Sequence, residues 1–116
     1  MRMIACEVII PFVSGRTRLP WKSNKIQYWE DATAYLFGGI RPISLGVTGK
    51  WCDTEAPLDV GIIPDPQNSY EIAVEMGRIE ELREFIKFTC AHFEQKCTYF
   101  KVGHDVEFIE HPLGWP

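Results

Sequence analysis

Residues 69–102, SYEIAVEMGRIEELREFIKFTCAHFEQKCTYFKV, contain a strand pattern, a helix pattern and a second strand pattern in succession. From Tyr70 to Met76 bulky apolar side chains alternate with Glu and Ala, which is typical of a strand with one buried face. After Gly77 the apolar residues recur at three- and four-residue steps, which predicts an amphipathic helix. The residues of its apolar stripe are Ile79, Leu82, Phe85, Ile86, Thr89 and Phe93. The β-branched and aromatic segment from Thr98 to Val102 predicts the next strand.

The preceding part of the chain predicts a strand over residues 6–13, a helix from about 25 to 37 and a strand over residues 43–51. Gly38 and Gly39 end that helix, because glycine readily adopts the left-handed conformation. Since strand–helix–strand crossovers are right-handed, both helices should cover the same face of one antiparallel sheet. We therefore predict a single ferredoxin-like α+β domain, βαββαβ, over residues 1–116. Residues 110–116 form a flexible tail, and residues 106–109 either continue the last strand or form a separate edge strand.

Composition and charge exclude several classes of protein. The net charge of −4 argues against general binding to nucleic acid or to an anionic membrane. No apolar run approaches the length of a membrane span. The four cysteines contain no Cys-x-x-Cys pair, and with no secretory signal they are most simply reduced thiols, which indicates a cytoplasmic protein.

Four short motifs resemble an uncharacterised family of short bacterial α+β proteins, several of which are lipoprotein-like. The motifs are Leu36-Phe37-Gly38-Gly39, Gly49-Lys50-Trp51, the strand from Tyr70 to Val74 and the helix from Glu80 to Phe93. The resemblance implies the ferredoxin-like fold. It implies no activity, because none is established for that family.

A metal site is not expected near His92, although Cys90 and Cys97 flank it in the sequence. Helical positions 90 and 92 point about 200° apart, so their side chains do not easily share one ion. The spacing is also not that of a recognised zinc site. We predict neither a metal nor another cofactor.

His104 is a weak candidate for a general base. It follows Gly103 at a break in the last strand, and Asp105 follows it. Adjacent strand residues point to opposite faces, so Asp105 orients His104 only if the backbone is irregular there. Neither a Gly-x-Ser-x-Gly nor a Gly-x-Gly-x-x-Gly motif supplies a nucleophile or a phosphate loop.

Two oppositely charged segments and one sheet face are candidates for binding. The basic loop 14–25 carries four cations and the acidic stretch 53–65 carries four carboxylates. The two could pair within one chain or between chains, or they could simply be solvated. The sheet face opposite the helices should present Thr48, Lys50, Glu71, Glu75, Tyr99 and Lys101, either as a contact surface or as the wet side of the sheet. The predicted binding residues are Arg16, Arg18, Trp21, Lys50, Trp51 and Glu75, with the alternative that the two tryptophans cap the core.

These features favour a non-enzymatic binding or interaction module that acts as a homodimer. Its partners would be a second copy, a small anionic ligand or another protein, and neither nucleic acid nor a membrane. The alternative is a small enzyme or ligand carrier with a pocket between the sheet face and the long loops. In that pocket Arg16 or Arg18 would hold an anionic group and His104 would transfer a proton.

Overall fold

The structure, a computed structural model, describes residues 1–52 and 61–115. Its strands are β1 (Met3–Pro11), β2 (Arg41–Cys52), β3 (Ile62–Glu75), β4 (Cys97–Val102) and β5 (Asp105–Glu110). Its helices are α1 (Ser23–Phe37) and α2 (Ile79–His92), and a short 3₁₀ turn, Met76–Arg78, leads into α2. These elements give the predicted order, with one additional strand at the end.

One antiparallel sheet has the strand order β2-β3-β1-β4-β5. The central strand β1 pairs on both sides, so that Val8 lies between Tyr70 of β3 and Phe100 of β4. Without β5 this is the strand order of the ferredoxin-like fold, and the predicted α+β class is confirmed. In strand order the structure differs from that fold by the edge strand β5, one of the two alternatives that the sequence leaves open for this segment.

Both helices cover the same face of the sheet. Val8 and Ile10 of β1 are fully buried, whereas Ile9 between them faces the opposite side and is half-buried. Trp29 of α1 packs edge-on against Tyr70 at 5.2 Å, and its Nε1 donates to Thr89 Oγ1 of α2 at 2.9 Å. This indole therefore joins both helices to the central part of the sheet.

Strand β3 begins earlier than the sequence predicts, and it contains Pro64 and Pro66. The reason is that β1 ends at Pro11, opposite Gln67, so the preceding part of β3 forms its ladder with β2. Beyond β1, the N–H of Phe12 still donates to the carbonyl oxygen of Pro66 at 2.9 Å. Proline is tolerated on such an edge because no second neighbour needs its missing N–H. The sequence predicts a loop over residues 52–68, and residues 62–68 of it belong to β3. Residues 53–60, with three of the four predicted acidic side chains, lie outside the described part of the chain.

Strand β5 is attached to α2 by an ion pair. Arg83 donates to both carboxylate oxygens of Glu107, at 2.6 and 3.2 Å. A bidentate contact of this kind fixes orientation as well as distance, so the edge strand is held against the helix layer. Within the described residues, neither helix combines the length and the apolar character needed to cross a membrane.

Candidate functional site

A cavity of about 380 Å³ opens on the sheet face opposite the helices. Ile9 and Pro11 of β1 lie in its middle, because β1 is the central strand. The loop after β1, the β2–β3 hairpin, the start of β4, β5 and the C-terminal segment provide its walls. The cavity is therefore assembled from parts of the chain that are far apart in sequence.

The β4–β5 side of the cavity is aromatic. Tyr99 and Phe108 are directly opposite each other in the register of the two strands, and their rings meet edge-to-face at 6.0 Å. Phe108 is 63% exposed, which is unusual for so large an apolar side chain on a sheet. Trp115 of the C-terminal segment adds a third ring. We call these three residues the aromatic end.

The β2–β3 side carries the charges. Asp65 of β3 is opposite Gly49 of β2, and Lys50 follows on the same strand. Arg18 reaches this side from the loop after β1, where its Nη2 donates to the carbonyl oxygen of Pro64 at 3.5 Å. Arg18 also has a left-handed backbone, with φ of 59°. We call Arg18 and Asp65 the charged end. Lys50 lies beside it, but the alternation of β2 starts its side chain toward the other face of the sheet, unlike the predicted placement.

Hydrogen bonds fix the loop after β1 to the segment before β4. Ser14 Oγ donates to Glu94 Oε2 at 2.6 Å, and the N–H of Gly15 donates to the carbonyl oxygen of Glu94 at 2.9 Å. Gln95 Nε2 donates to the carbonyl oxygen of Val13 at 2.9 Å. Arg16 lies over the ring of Trp115 at 4.4 Å, a cation–π contact. The wall of the cavity is thus held by contacts across some 80 residues of sequence.

Two lining groups have perturbed protonation. Burial raises the pKa of Asp65, and the positive charge of Arg18 partly opposes that rise. Burial also raises the pKa of Cys97, with Lys96 lowering it and Glu110 raising it further. The Cys97 thiol therefore stays neutral at physiological pH and is a poor nucleophile. The pKa of Asp65 is thus set by its burial and by the positive charge of Arg18.

The structure brings together three of the predicted binding residues. Arg18 and Lys50 both line the cavity, and Arg16 stands at its edge on Trp115. Trp21 lies elsewhere: it packs on Phe93 at 5.8 Å and belongs to the margin of the core. For Trp51 the backbone pairs with Ile63, and its side chain lies outside the described part of the chain.

Glu75 and His104 lie away from this cavity. Glu75 is opposite Met3 at the other end of β1, where it lines a second, wider cleft of about 700 Å³ with Tyr35 and Arg78. His104 is exposed in the β4–β5 turn, and the neighbouring Gly103 donates to the carbonyl oxygen of Ala5 at 3.2 Å. The described residues that line the two cavities do not include His104. Its suggested role in proton transfer has no support from this placement.

Sequence reasoning missed Asp65, Phe108 and Trp115 as parts of one site. In the sequence, Asp65 is one of four carboxylates in the acidic stretch 53–65. Phe108 lies in residues 106–109, for which two structures are possible, and Trp115 lies in the predicted tail. The sequence contains one signal for this pair. Tyr99 and Phe108 lie at nearly equal distances before and after Gly103, so a tight turn at Gly103 places the two rings opposite each other on one face. In residues 1–52 and 61–115 no three His, Cys, Asp or Glu side chains converge as metal ligands.

No protein-family model matches the sequence, and no curated protein sequence matches it either. Among solved structures, the chain is similar to a phage SAM lyase in complex with S-methyl-5'-thioadenosine. The similarity covers 93% of this chain and 89% of that one, with a TM-score of 0.64 and 11% sequence identity.

This likeness, which is one of fold, corrects the main functional prediction. The expectation of a non-enzymatic interaction module is corrected by this finding: the similar protein, whose fold matches over nearly the whole chain, is a lyase. The alternative of a small enzyme with a pocket between sheet face and loops is better supported.

Proposed function

We propose that this protein is a small enzyme that binds a sulfur-containing adenosyl compound of the S-adenosylmethionine class and cleaves a carbon–sulfur bond in it. The observation that carries the proposal is the cavity on the sheet face, with rings at one side and charges at the other. Its volume of about 380 Å³ falls within the range of small-molecule sites, about 300–1,000 Å³. The fold of the phage lyase supports the same class of reaction.

The lining residues suit the chemistry of such a substrate. An adenine ring stacks well on aromatic side chains, and Tyr99, Phe108 and Trp115 offer them. A carboxylate is held well by a guanidinium group, which Arg18 provides. This retains the predicted anion-binding role of Arg18, now as part of a site for a ligand that carries both signs of charge.

The bond to be cleaved is already activated in a sulfonium compound. When the carbon–sulfur bond breaks, its electron pair stays on sulfur, which changes from a cation into a neutral thioether. In one route, a proton on the neighbouring carbon passes to water acting as base, and the electron pair of that carbon–hydrogen bond forms a carbon–carbon double bond. In the other, the substrate's own carboxylate attacks the carbon that sulfur leaves and forms a carbon–oxygen bond, with no proton transfer. The second route requires the protein to hold the carboxylate in line with the breaking bond.

The direct test is to incubate the purified protein with S-adenosylmethionine and to follow S-methyl-5'-thioadenosine by chromatography with mass detection. We expect product to accumulate, and the mass of the second product distinguishes the two routes. Phe108→Ala should lower the rate, whereas Val106→Ala, an exposed change on the same strand, should not. If the wild type forms no product and titration calorimetry detects no binding of either compound at millimolar concentration, the proposal is wrong.

Self-association and a cytoplasmic location stay predictions. The second cleft, with exposed Met3 and Tyr35, offers an apolar surface for association. Light scattering of the purified protein tests association, and fractionation of the native host tests location.

A further inference from the structure

The two ends of the cavity are separated along the strand order of the sheet. Asp65 and Lys50 lie on β3 and β2, at one edge of the sheet, and Phe108 lies on β5 at the other edge. Ile9 of the central strand lies between them and presents an apolar floor. A ligand that spans the cavity therefore meets charge at one end and aromatic rings at the other.

The separation is long enough to distinguish two groups of one ligand. From β3 to β5 there are three steps between neighbouring strands, which at about 4.8 Å each amounts to about 14 Å. An adenosyl compound with an amino-acid side chain is elongated on that scale, with the flat base at one end and the charged group at the other. Each end of the cavity thus faces a different part of such a ligand.

The aromatic end has the properties of a stacking surface. Tyr99 and Phe108 are already in edge-to-face contact, which leaves the outer side of Phe108 uncovered. Trp115 is fixed from behind by Arg16 and by its closeness to Gly15. Pre-positioned rings bind a planar base with little loss of side-chain entropy.

The charged end contains one negative and one positive side chain, which match the ammonium and carboxylate groups of an α-amino acid. The carboxylate of Asp65 can accept from an ammonium group, and the guanidinium of Arg18 can donate to a carboxylate. Lys50 lines the same end, but it follows Gly49 on β2, so its side chain starts toward the other face of the sheet. A zwitterionic group satisfies both Asp65 and Arg18, whereas a simple anion offers Asp65 no cationic group.

We infer, on the basis of the proposed function, that the cavity binds its ligand in one orientation, with the base at Tyr99 and Phe108 and the amino-acid group between Asp65 and Arg18. This polarity selects a ligand that carries an α-amino acid over a nucleoside thioether that lacks it. After cleavage the nucleoside keeps only the contacts of the aromatic end. It consequently binds more weakly than the substrate and is released.

The test compares two ligands on the same variants by titration calorimetry. S-adenosylmethionine has both ends, and S-methyl-5'-thioadenosine has the nucleoside end alone. Asp65→Asn should weaken S-adenosylmethionine about tenfold or more, since that is the usual effect of losing a hydrogen bond to a charged group. It should change the affinity for S-methyl-5'-thioadenosine less than about twofold, whereas Phe108→Ala should weaken both ligands by a similar factor.

Two control variants lie outside the cavity. One makes the same charge change as Asp65→Asn, and the other lies on the same strand as Phe108. Asp31→Asn, on the exposed side of α1, and Val106→Ala, on β5, should leave both affinities unchanged. If Asp65→Asn does not fold, Arg18→Gln at an exposed side chain provides the same comparison, with loss of affinity for S-adenosylmethionine alone.

The outcomes separate this inference from the proposed function. If the wild type binds both ligands but Asp65→Asn and Arg18→Gln weaken them equally or not at all, the orientation is wrong and the proposed function stands. If the wild type binds neither ligand, the proposed function fails and the orientation fails with it. Selective loss of S-adenosylmethionine in both variants supports the inference.

Discussion

Arg18 and Asp65 come together at the charged end of the cavity, where the guanidinium opposes the effect of burial on the carboxyl group. Arg18 is fixed there by its contact with the carbonyl oxygen of Pro64, the residue before Asp65. The basic loop and the acidic stretch of the sequence therefore meet within one chain at this point. The contact places one charge of each sign beside the space that a ligand would fill.

Replacing Arg18 with Gln should raise the pKa of Asp65 further. The folded-state pKa of Asp65 is already above its usual value of 3.8. The folded state therefore favours the protonated form of Asp65. The stability that this group contributes is fully present below pH 3.8 and is lost as the pH rises through the folded-state pKa. Without Arg18 more stability is lost, so the stability difference between the variant and the wild type should grow by roughly 0.5 kcal/mol from below pH 3.8 to pH 7. Loss of the hydrogen bond to Pro64 adds a difference that does not depend on pH.

The measurement is an NMR titration of the Asp65 carboxyl carbon, combined with urea unfolding at pH 7 and at low pH. Lys87→Gln removes a cation from α2, where Lys87 pairs with Glu84, and should leave the Asp65 titration unchanged. An Asp65 pKa that falls in Arg18→Gln would contradict the assigned electrostatics.

Gly15→Ala should destabilise the wall of the cavity. A Cβ at this position would lie 2.7 Å from the carbonyl oxygen of Glu94 and 3.2 Å from the ring of Trp115. The first of these atoms belongs to the backbone and cannot rotate away, so the loop must move. We expect a loss of about 1–3 kcal/mol in the free energy of unfolding, the usual cost of overpacking.

Urea unfolding of Gly15→Ala checks this expectation, with Gly39→Ala as the control. A Cβ at Gly39 would meet nothing within 4 Å, so that variant should unfold like the wild type. Equal stability of Gly15→Ala and the wild type would show that the loop after β1 adjusts freely and does not fix the cavity.

Trp29→Phe should weaken the whole fold. The variant loses the hydrogen bond from the indole to Thr89 Oγ1 and part of the volume that fills the space beside Tyr70. Thr89 keeps its hydrogen bond to the carbonyl oxygen of Phe85, which limits the cost. We expect the free energy of unfolding to fall by about 2 kcal/mol.

Urea unfolding followed by circular dichroism measures the effect of Trp29→Phe. Tyr28→Phe on the same helix removes only an exposed hydroxyl and should stay within about 0.5 kcal/mol of the wild type. If the two variants unfold alike, Trp29 does not join the helices to the sheet in the way described.

The elements of this fold follow from local patterns in the sequence. Tyr70, Ile72 and Val74 alternate as a strand must, and the step pattern after Gly77 fits only a helix. In α1 the three- and four-residue steps through Ile26, Trp29 and Thr33 predict Leu36 as the next inner residue. Phe37 is buried there, and Leu36 is exposed. Local patterns predict reliably whether a segment is a helix or a strand. They predict less reliably which residue of the last helical turn faces the core, because packing against the rest of the protein orients that turn.

The length of β3 was decided by its neighbours. The two prolines at 64 and 66 suggest a loop when they are considered by themselves, and a central strand would have excluded them. They are accommodated because β1 has already ended, so that this part of β3 forms its ladder with β2 alone. The extent of β3 thus follows from how β1, β2 and β3 are arranged in the sheet, and the local sequence does not contain it.

The sequence by itself determined the order of helices and strands, the face of the sheet that they bury, and Arg18 and Lys50 as candidate binding residues. The tertiary structure decided that these two share a cavity with Asp65 and Phe108, and that Glu75 and His104 lie elsewhere. The reason is physical: periodicity acts over a few residues, whereas a cavity depends on strand register and on contacts such as that between Ser14 and Glu94. Such contacts form only when distant segments have already packed together.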